Sequence, residues 1–273
     1  MVSRYAGLAG GEVVRVPWLA AFPVAEIVSC VTEDTAAIVC TSPNNPTGAV
    51  MTSTALQSLR QQGPGGLLIV DLAYVEFADE DLTSTALAME DTVVVRTVSK
   101  AWGLAGLRVG YLLGPANWID RLRAAGAPYA VSRLSLAVAQ AALCVQGPQV
   151  QAYVARVRKE RDELFELLRE LGMKPWPSQG NFVYAEVDDA IWLRDGLAGL
   201  GIAIRAFPER PGLDRSVRIT CPGDKALFDR LCFALKTVCR PEAYLFDIDG
   251  VLCDVRDSYR AAILETAAAF GVT

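Results

Sequence analysis

The chain has 273 residues, of which 52% are hydrophobic and 21% are charged, and its formal net charge is −5. This composition is that of a globular protein with a full-sized core, and the absence of a basic block argues against nucleic acid as a partner. The sequence contains no histidine. Ser-His-Asp catalysis, Cys-His catalysis and histidine-ligated zinc or iron are therefore excluded.

The cysteines and the apolar runs indicate the compartment. The seven cysteines are scattered without a Cys-x-x-Cys pair, which is typical of a reducing cytosol. No apolar run is long enough to span a bilayer, and residues 1–6 lack the apolar region of a signal peptide. We therefore expect a cytoplasmic protein without a membrane partner.

The pattern of apolar runs and turn residues in the first hundred residues predicts strands that alternate with helices and turns. Thr52 is suited to cap a helix that continues through Arg60. Alternation of this kind favours an α/β fold with a mostly parallel sheet. Because the first strand starts so soon after Met1, we expect further chain upstream. The predicted strands are Gly11–Pro17, Ala36–Thr41, Gly66–Asp71 and Thr92–Val98.

The second half predicts a smaller α+β domain. A long amphipathic helix over 149–171 is suited to connect the two domains. We predict a large domain over 1–147, a small domain over 148–240, and the start of a further domain over 241–273. The other predicted helices are 118–125, 134–145, 191–200, 225–238 and 259–270, and the predicted strands are 181–187, 201–205, 216–220 and 243–252.

Three polar segments follow the carboxyl ends of the predicted parallel strands: Ser42–Gly48, Asp71–Tyr74 and Thr97–Lys100. In open α/β sheets, ligands bind beyond these ends. The segments are therefore expected to converge on one site.

Lys100 is the candidate reactive group of this site. A lysine at the end of a buried strand is costly to desolvate, and the nearby Thr97, Ser99 and Arg108 suggest an anion such as phosphate. A lysine in such a place can also lose its proton and attack a carbonyl. We infer a Schiff base between Lys100 and a phosphorylated aldehyde cofactor.

Single residues of the set also have ordinary structural explanations. Lys100 is equally explained as a solvated loop lysine, Asn45 as a turn residue and Asp71 as a helix cap. Arg218, in a later strand, is by itself typical of a surface arginine. The functional interpretation therefore depends on their joint occurrence.

Jointly, the motifs Ser42-Pro-Asn-Asn-Pro-Thr-Gly48, Asp71-x-x-Tyr74 and Thr97-x-Ser-Lys-x-x-x-Leu-Ala-Gly-Leu-Arg-x-Gly110 resemble those of fold-type-I, pyridoxal-phosphate-dependent aminotransferases. Within that family they are most similar to the histidinol-phosphate aminotransferase branch, over about residues 5–238. The resemblance implies a large domain with a mostly parallel sheet and a smaller C-terminal domain.

The resemblance also implies roles for individual residues. Lys100 would form the Schiff base with pyridoxal phosphate and carry the proton of the substrate. Asp71 would pair with the pyridine nitrogen, and Asn45 and Tyr74 would bind the phenolic oxygen. The phosphate would be held by Thr97, Ser99 and Arg108, and the substrate by Arg218 and Arg205.

The implied activity is transfer of an amino group between an amino acid or amino-alcohol phosphate and a 2-oxo acid, by a homodimer without a metal. Two alternatives stay open: a decarboxylase or lyase on the same scaffold, and a catalytically incomplete dimerisation module. The site motifs do not separate these reactions.

The C-terminal segment resembles a second family. Residues 246–252 (Phe-Asp-Ile-Asp-Gly-Val-Leu) are similar to the first motif of haloacid-dehalogenase-type phosphohydrolases. The resemblance implies Asp247 as nucleophile and Asp249 as general acid, with magnesium between them. Since the later motifs would lie beyond Thr273, we expect only the start of such a domain, and a magnesium phosphatase is the least favoured function.

Overall fold

A computed structural model describes residues 2–18, 21–63, 65–145, 147–240 and 256–271. Within these ranges the chain forms two four-stranded sheets with helices packed against them. None of the helices described there is long and apolar enough to cross a membrane.

The first sheet is built from residues 37–113 and has the strand order β1-β2-β3-β4. Strands β1, β2 and β3 are parallel, and β4 is antiparallel to β3. The predicted α/β fold with a mostly parallel sheet is thereby confirmed. The elements up to the end of this half are α1 (Val2–Leu8), α2 (Val24–Ser29), β1 (Ala37–Thr41), α3 (Ser53–Gln62), β2 (Leu67–Asp71), α4 (Thr83–Leu87), β3 (Thr92–Thr97), β4 (Gly110–Leu113), α5 (Ala116–Ala125) and α6 (Arg133–Val145).

The second sheet is antiparallel and has the order β5-β6-β8-β7. It is built from later residues than the first sheet, while the division into domains at residues 147 and 240 stays a prediction. Its elements and the helices around it are α7 (Gly147–Glu170), β5 (Lys174–Pro175), β6 (Phe182–Glu186), α8 (Ala190–Gly199), β7 (Arg205–Ala206), β8 (Ser216–Thr220), α9 (Lys225–Cys239) and α10 (Arg256–Ala269).

Helix α7 packs against both halves of the chain. Its fully buried residues Val157, Leu164 and Leu168 recur at seven and four positions, which forms one apolar stripe along the helix. The helix contacts β6 and also the 3₁₀ turn Val75–Phe77, which follows β2. It therefore connects the second sheet with the end of the first.

Local signals set the start of α3 as expected. The Thr52 hydroxyl accepts a hydrogen bond from the Ala55 N–H at 3.1 Å, which caps the helix. Leu56 and Leu59 then lie fully buried on one face, against the first sheet. The helix ends at Gln62, and Gly63 is its C-cap residue.

Two strand predictions are wrong. Residues 11–17 have no regular secondary structure, because the described strands pair only with one another and leave this segment without a partner. Residues 202–204 are also not a strand, and only Arg205–Ala206 pairs with β8. The Ile202 N–H donates to the Leu197 carbonyl and so closes the end of α8 instead of joining a sheet. The predicted strand 243–252, with Asp247 and Asp249, lies outside the described residues.

Candidate functional site

The register of the first sheet aligns the three predicted strand ends. Thr41 pairs with Asp71, and Asp71 pairs with Val95. The hydrogen bonds from Ser42 N to the Asp71 carbonyl and from Leu72 N to the Val95 carbonyl, both 2.9 Å, continue this pairing beyond the strands. The loops that carry Asn45, Tyr74 and Lys100 therefore start from neighbouring points on one edge.

Loop 42–48 is held between the two sheets. The buried Ser42 hydroxyl accepts from the Met51 N–H at 3.0 Å, which fixes the start of the loop. At its end, the Gly48 carbonyl accepts from the Gln179 N–H at 2.8 Å. Gly48 has φ +79°, and an added Cβ would lie 2.8 Å from the Ser178 Cα. Only glycine fits this approach, which brings the loop against the segment that precedes β6.

Asn45 joins the two halves of the candidate site. Its Nδ2 donates to the Tyr74 hydroxyl at 3.3 Å, and its Oδ1 accepts from Arg218 Nη1 at 2.7 Å. Tyr74 follows β2 of the first sheet, whereas Arg218 lies on β8 of the second. The amide therefore connects a phenol on one side with a guanidinium on the other.

Phe182 packs between the same two side chains. Its ring meets the Tyr74 ring edge-on, with centroids 5.3 Å apart, and the Arg218 guanidinium lies 5.1 Å from its centroid. Such contacts favour one relative arrangement of the three groups. Sequence reasoning missed Phe182, although its position at the start of the predicted strand 181–187 was a signal.

The Lys100 amine lies near Tyr74. Its Nζ is 5.2 Å from the Tyr74 ring centroid. No hydrogen bond or ion pair joins the Lys100 side chain to another described residue. The half-buried Lys100 amine is therefore not held by a polar side chain of the described residues.

Asp71 is a carboxylate in a poorly hydrated place. It is half-buried at the end of β2, and its Oδ1 accepts from the Ala73 N–H at 3.0 Å. Burial raises the pKa of the Asp71 carboxyl above its ordinary value, and the bond from Ala73 opposes this rise. Among the described residues, no cation is paired with Asp71. A bound cationic group would stabilise the ionised form.

The predicted phosphate-binding residues are only partly brought together. Thr97 Oγ1 lies 2.9 Å from Ser99 Oγ and accepts from the Ser99 N–H at 3.1 Å. Arg108 has a left-handed backbone, and its exposed guanidinium donates to the Ala105 carbonyl at 3.1 Å. No hydrogen bond between described atoms joins Arg108 to the two hydroxyls.

A half-buried acid, Glu76, connects the turn after Tyr74 with the loop that carries Lys100. Glu76 Oε1 accepts from Arg96 Nη2 at 2.9 Å and lies 3.4 Å from the donor Trp102 Nε1. Arg96 belongs to β3, and Trp102 follows Lys100 by two residues. Glu76 was not singled out from the sequence, because an acid in a turn carries no signal of such distant partners.

Two arginines lie side by side on the second sheet. Arg205 on β7 and Arg218 on β8 are directly opposite each other in the sheet, so their side chains project from the same face of that sheet. Like charges in such a pair repel each other, and a buried Nε of Arg218 has no hydrogen-bond partner among the described groups. This face of the sheet is therefore suited to bind an anion.

The family model of aminotransferase class I and II matches residues 1–235. The chain belongs to this family. The histidinol-phosphate aminotransferase of Thermoanaerobacter pseudethanolicus is 36% identical over 180 residues, which are 66% of this chain and 50% of that protein. The corresponding protein of Haloferax volcanii is 38% identical over 183 residues, which are 66% of this chain and 49% of that one. The chain thus spans about half the length of these curated relatives.

Solved structures of aminotransferases have the same fold. Histidinol-phosphate aminotransferase from Sinorhizobium meliloti, in complex with pyridoxal-5'-phosphate, superposes with a TM-score of 0.78 at 29% identity, covering 88% of this chain and 68% of that one. A putative aminotransferase from Burkholderia pseudomallei has a TM-score of 0.67 at 31% identity, covering 78% and 64% of the two chains.

Proposed function

We propose that the chain carries the site of a pyridoxal-phosphate-dependent aminotransferase, with Lys100 as the reactive amine. One observation carries the proposal: Arg218, Asn45 and Tyr74 form a continuous hydrogen-bonded chain, and Lys100 lies next to its last member. Family membership supports this reading, as does the pyridoxal phosphate in the Sinorhizobium meliloti relative.

The residues present fit this cofactor. The Lys100 side chain has no polar partner among the described residues, and Asp71 is a desolvated carboxylate without a cation. When bound, pyridoxal phosphate supplies a carbonyl for the amine and a ring that accepts electrons from the substrate. Asp71 would hold the positive charge at the ring nitrogen, and Thr97, Ser99 and Arg108 would bind the phosphate.

The remaining residues would act on the substrate. Lys100 Nζ would take the proton from the substrate α-carbon and return it at the end of the transfer. Asn45 and Tyr74 would hold the phenolic oxygen by hydrogen bonds. Arg218 would bind the α-carboxylate of an amino-acid substrate, or the group in the same place of another substrate, through its planar guanidinium.

Arg205 supports a substrate with a second anionic group. Because Arg205 and Arg218 are directly opposite in the sheet, one dianion or two neighbouring anions would relieve their repulsion. An amino-alcohol phosphate of the histidinol phosphate type fits this arrangement, with a 2-oxo acid as the acceptor of the amino group. A homodimer and a cytoplasmic location stay predictions.

The test is to add pyridoxal phosphate to the whole chain and to Lys100→Ala. We expect a visible absorbance band from the Schiff base in the wild type and none in Lys100→Ala. Lys174→Ala, which removes an exposed lysine of β5, is the matched control and should keep the band. A wild-type chain that gives no band would overturn the proposal. A product assay separates the two reaction types, because release of carbon dioxide in place of a 2-oxo acid would assign a decarboxylase instead.

A further inference from the structure

Helix α7 carries two adjacent buried charges, Glu160 and Arg161. Their exposed fractions are 4% and 8%, and no other charged residue of the described chain is buried to this degree. Burying a charge is costly unless hydrogen bonds compensate it. The two side chains bind different partners, so their burial needs an explanation beyond a mutual ion pair.

Arg161 connects the Tyr74 turn with the segment before Phe182. Its Nη1 donates to the Phe77 carbonyl at 3.3 Å and to the Gly180 carbonyl at 3.4 Å. Phe77 closes the 3₁₀ turn that begins after Tyr74, and Gly180 precedes Phe182 by two residues. Its ion pair, at 3.5 Å, is with the exposed Asp162.

Glu160 holds the other side of the site. Its Oε2 accepts from the Gly223 N–H at 2.7 Å. Gly223 follows β8, which carries Arg218, and has φ +70°. An added Cβ at Gly223 would lie 2.1 Å from the Tyr153 ring of α7. The glycine therefore allows the chain after β8 to approach the helix closely.

We propose that Glu160 and Arg161 are positioning residues that set the distance between Tyr74 and Arg218. Arg161 holds the turn after Tyr74, and Glu160 holds the chain after Arg218. Phe182 fills the space between the two functional groups. One rigid helix thus determines how the cofactor side of the site faces the substrate side. This inference rests on the proposed function, since it assigns Tyr74 and Arg218 to those two sides.

The first experiment uses the cofactor-free chain and amide hydrogen exchange. Glu160→Leu should speed exchange of the Gly223 amide at least about tenfold, because this amide loses its acceptor. Arg161→Met should speed exchange in residues 74–78 and 178–182 together. Arg169→Met, an exposed change on the same helix, should do neither. Unchanged exchange in the Glu160 and Arg161 variants would overturn the proposal.

The second experiment uses the chain with pyridoxal phosphate and an amino donor. Glu160→Leu and Arg161→Met should raise the KM of the donor about tenfold, and the conservative Glu160→Gln should restore it because its amide oxygen still accepts from Gly223. Faster exchange with an unchanged KM would show a purely structural role and overturn the proposal. A wild-type chain without a visible band would instead show that the proposed function fails, before any of these variants is compared.

Discussion

Arg218 and Asn45 are 173 residues apart in the chain and are joined by a hydrogen bond of 2.7 Å. The bond crosses from the second sheet to a loop of the first. Because Asn45 also donates to Tyr74, its amide orients two groups at once. The contact makes Asn45 the link between Arg218, the proposed substrate-binding residue, and Tyr74, a proposed cofactor-binding residue.

Asn45→Ala should raise the KM of the amino donor about 10- to 100-fold, the equivalent of one hydrogen bond to a charged group. Asn45→Asp should not restore the KM, since its carboxylate still accepts from Arg218 but cannot donate a hydrogen bond and competes with the substrate carboxylate for the guanidinium. Steady-state kinetics with both variants measure the difference. Equal KM values for Asn45→Ala and the wild type would show that the bond does not orient Arg218.

Asp71→Asn should separate stability from cofactor binding. Burial raises the folded-state pKa of Asp71, so ionisation costs stability as pH rises through that pKa. Without cofactor, Asp71→Asn should thus be at least as stable as the wild type near neutral pH, and the difference should vanish in acid. Asparagine keeps the acceptor for the Ala73 N–H.

Thermal unfolding of this variant at several pH values, together with titration by pyridoxal phosphate, checks the prediction. The affinity for the cofactor should fall although the stability does not. Asp214→Asn, at an exposed carboxylate, is the control and should change neither quantity. Lower stability of Asp71→Asn at neutral pH would contradict the desolvation argument.

Gly48→Ala should destabilise the chain and displace the Asn45 loop. The added Cβ would meet the Ser178 side chain at 2.0 Å and its Cα at 2.8 Å. Gly212 offers a matched control, because it has the same φ of +79° and nothing within 4 Å of a Cβ. Gly212→Ala should cost about 1 kcal/mol from backbone strain alone. A similar unfolding free energy for both variants, measured in urea, would show that the contact with Ser178 relaxes.

Thr52→Ala should lower the free energy of unfolding by about 1 kcal/mol, because α3 loses the side-chain acceptor for the Ala55 N–H. Cofactor binding should not change, since Thr52 lies outside the candidate site. Thr54→Ala, at an exposed position inside the same helix, should be neutral or slightly stabilising. Equal denaturation midpoints of the two variants would mean that the cap contributes nothing.

Arg205→Met should discriminate between classes of donor. The KM of a phosphorylated amino alcohol should rise about 10- to 100-fold, the equivalent of a lost bond to a charged group, and that of an unphosphorylated amino acid should change little. Arg210→Met is a close control, since both guanidinium groups lie near the Phe207 ring, at 5.9 and 5.7 Å. A uniform rise for both donors would remove the assignment of Arg205 to a second anion.

Local patterns in the sequence were sufficient for several features. The parallel strands β1 to β3 follow from short hydrophobic runs that alternate with helices and turns, and the helix cap follows from Thr52 itself. The convergence of the three strand ends follows from the geometry of parallel sheets. These features depend on neighbours along the chain. The same local reasoning failed at residues 11–17 and 202–204, because alternation alone does not provide a partner strand.

Tertiary structure decided which distant groups meet. The sequence alone supported Asn45, Tyr74 and Arg218 as separate candidates. Their hydrogen-bonded chain depends on the approach of the second sheet to the loops that follow the first sheet, with α7 in contact with β6 and with the turn after Tyr74. Glu160 and Arg161 carry no local signal, since charges on a helix are ordinary, and the only local signal of Phe182 is its position at the start of a predicted strand. Their roles depend on contacts between segments far apart in the chain, and the energy of such contacts is set by packing and burial.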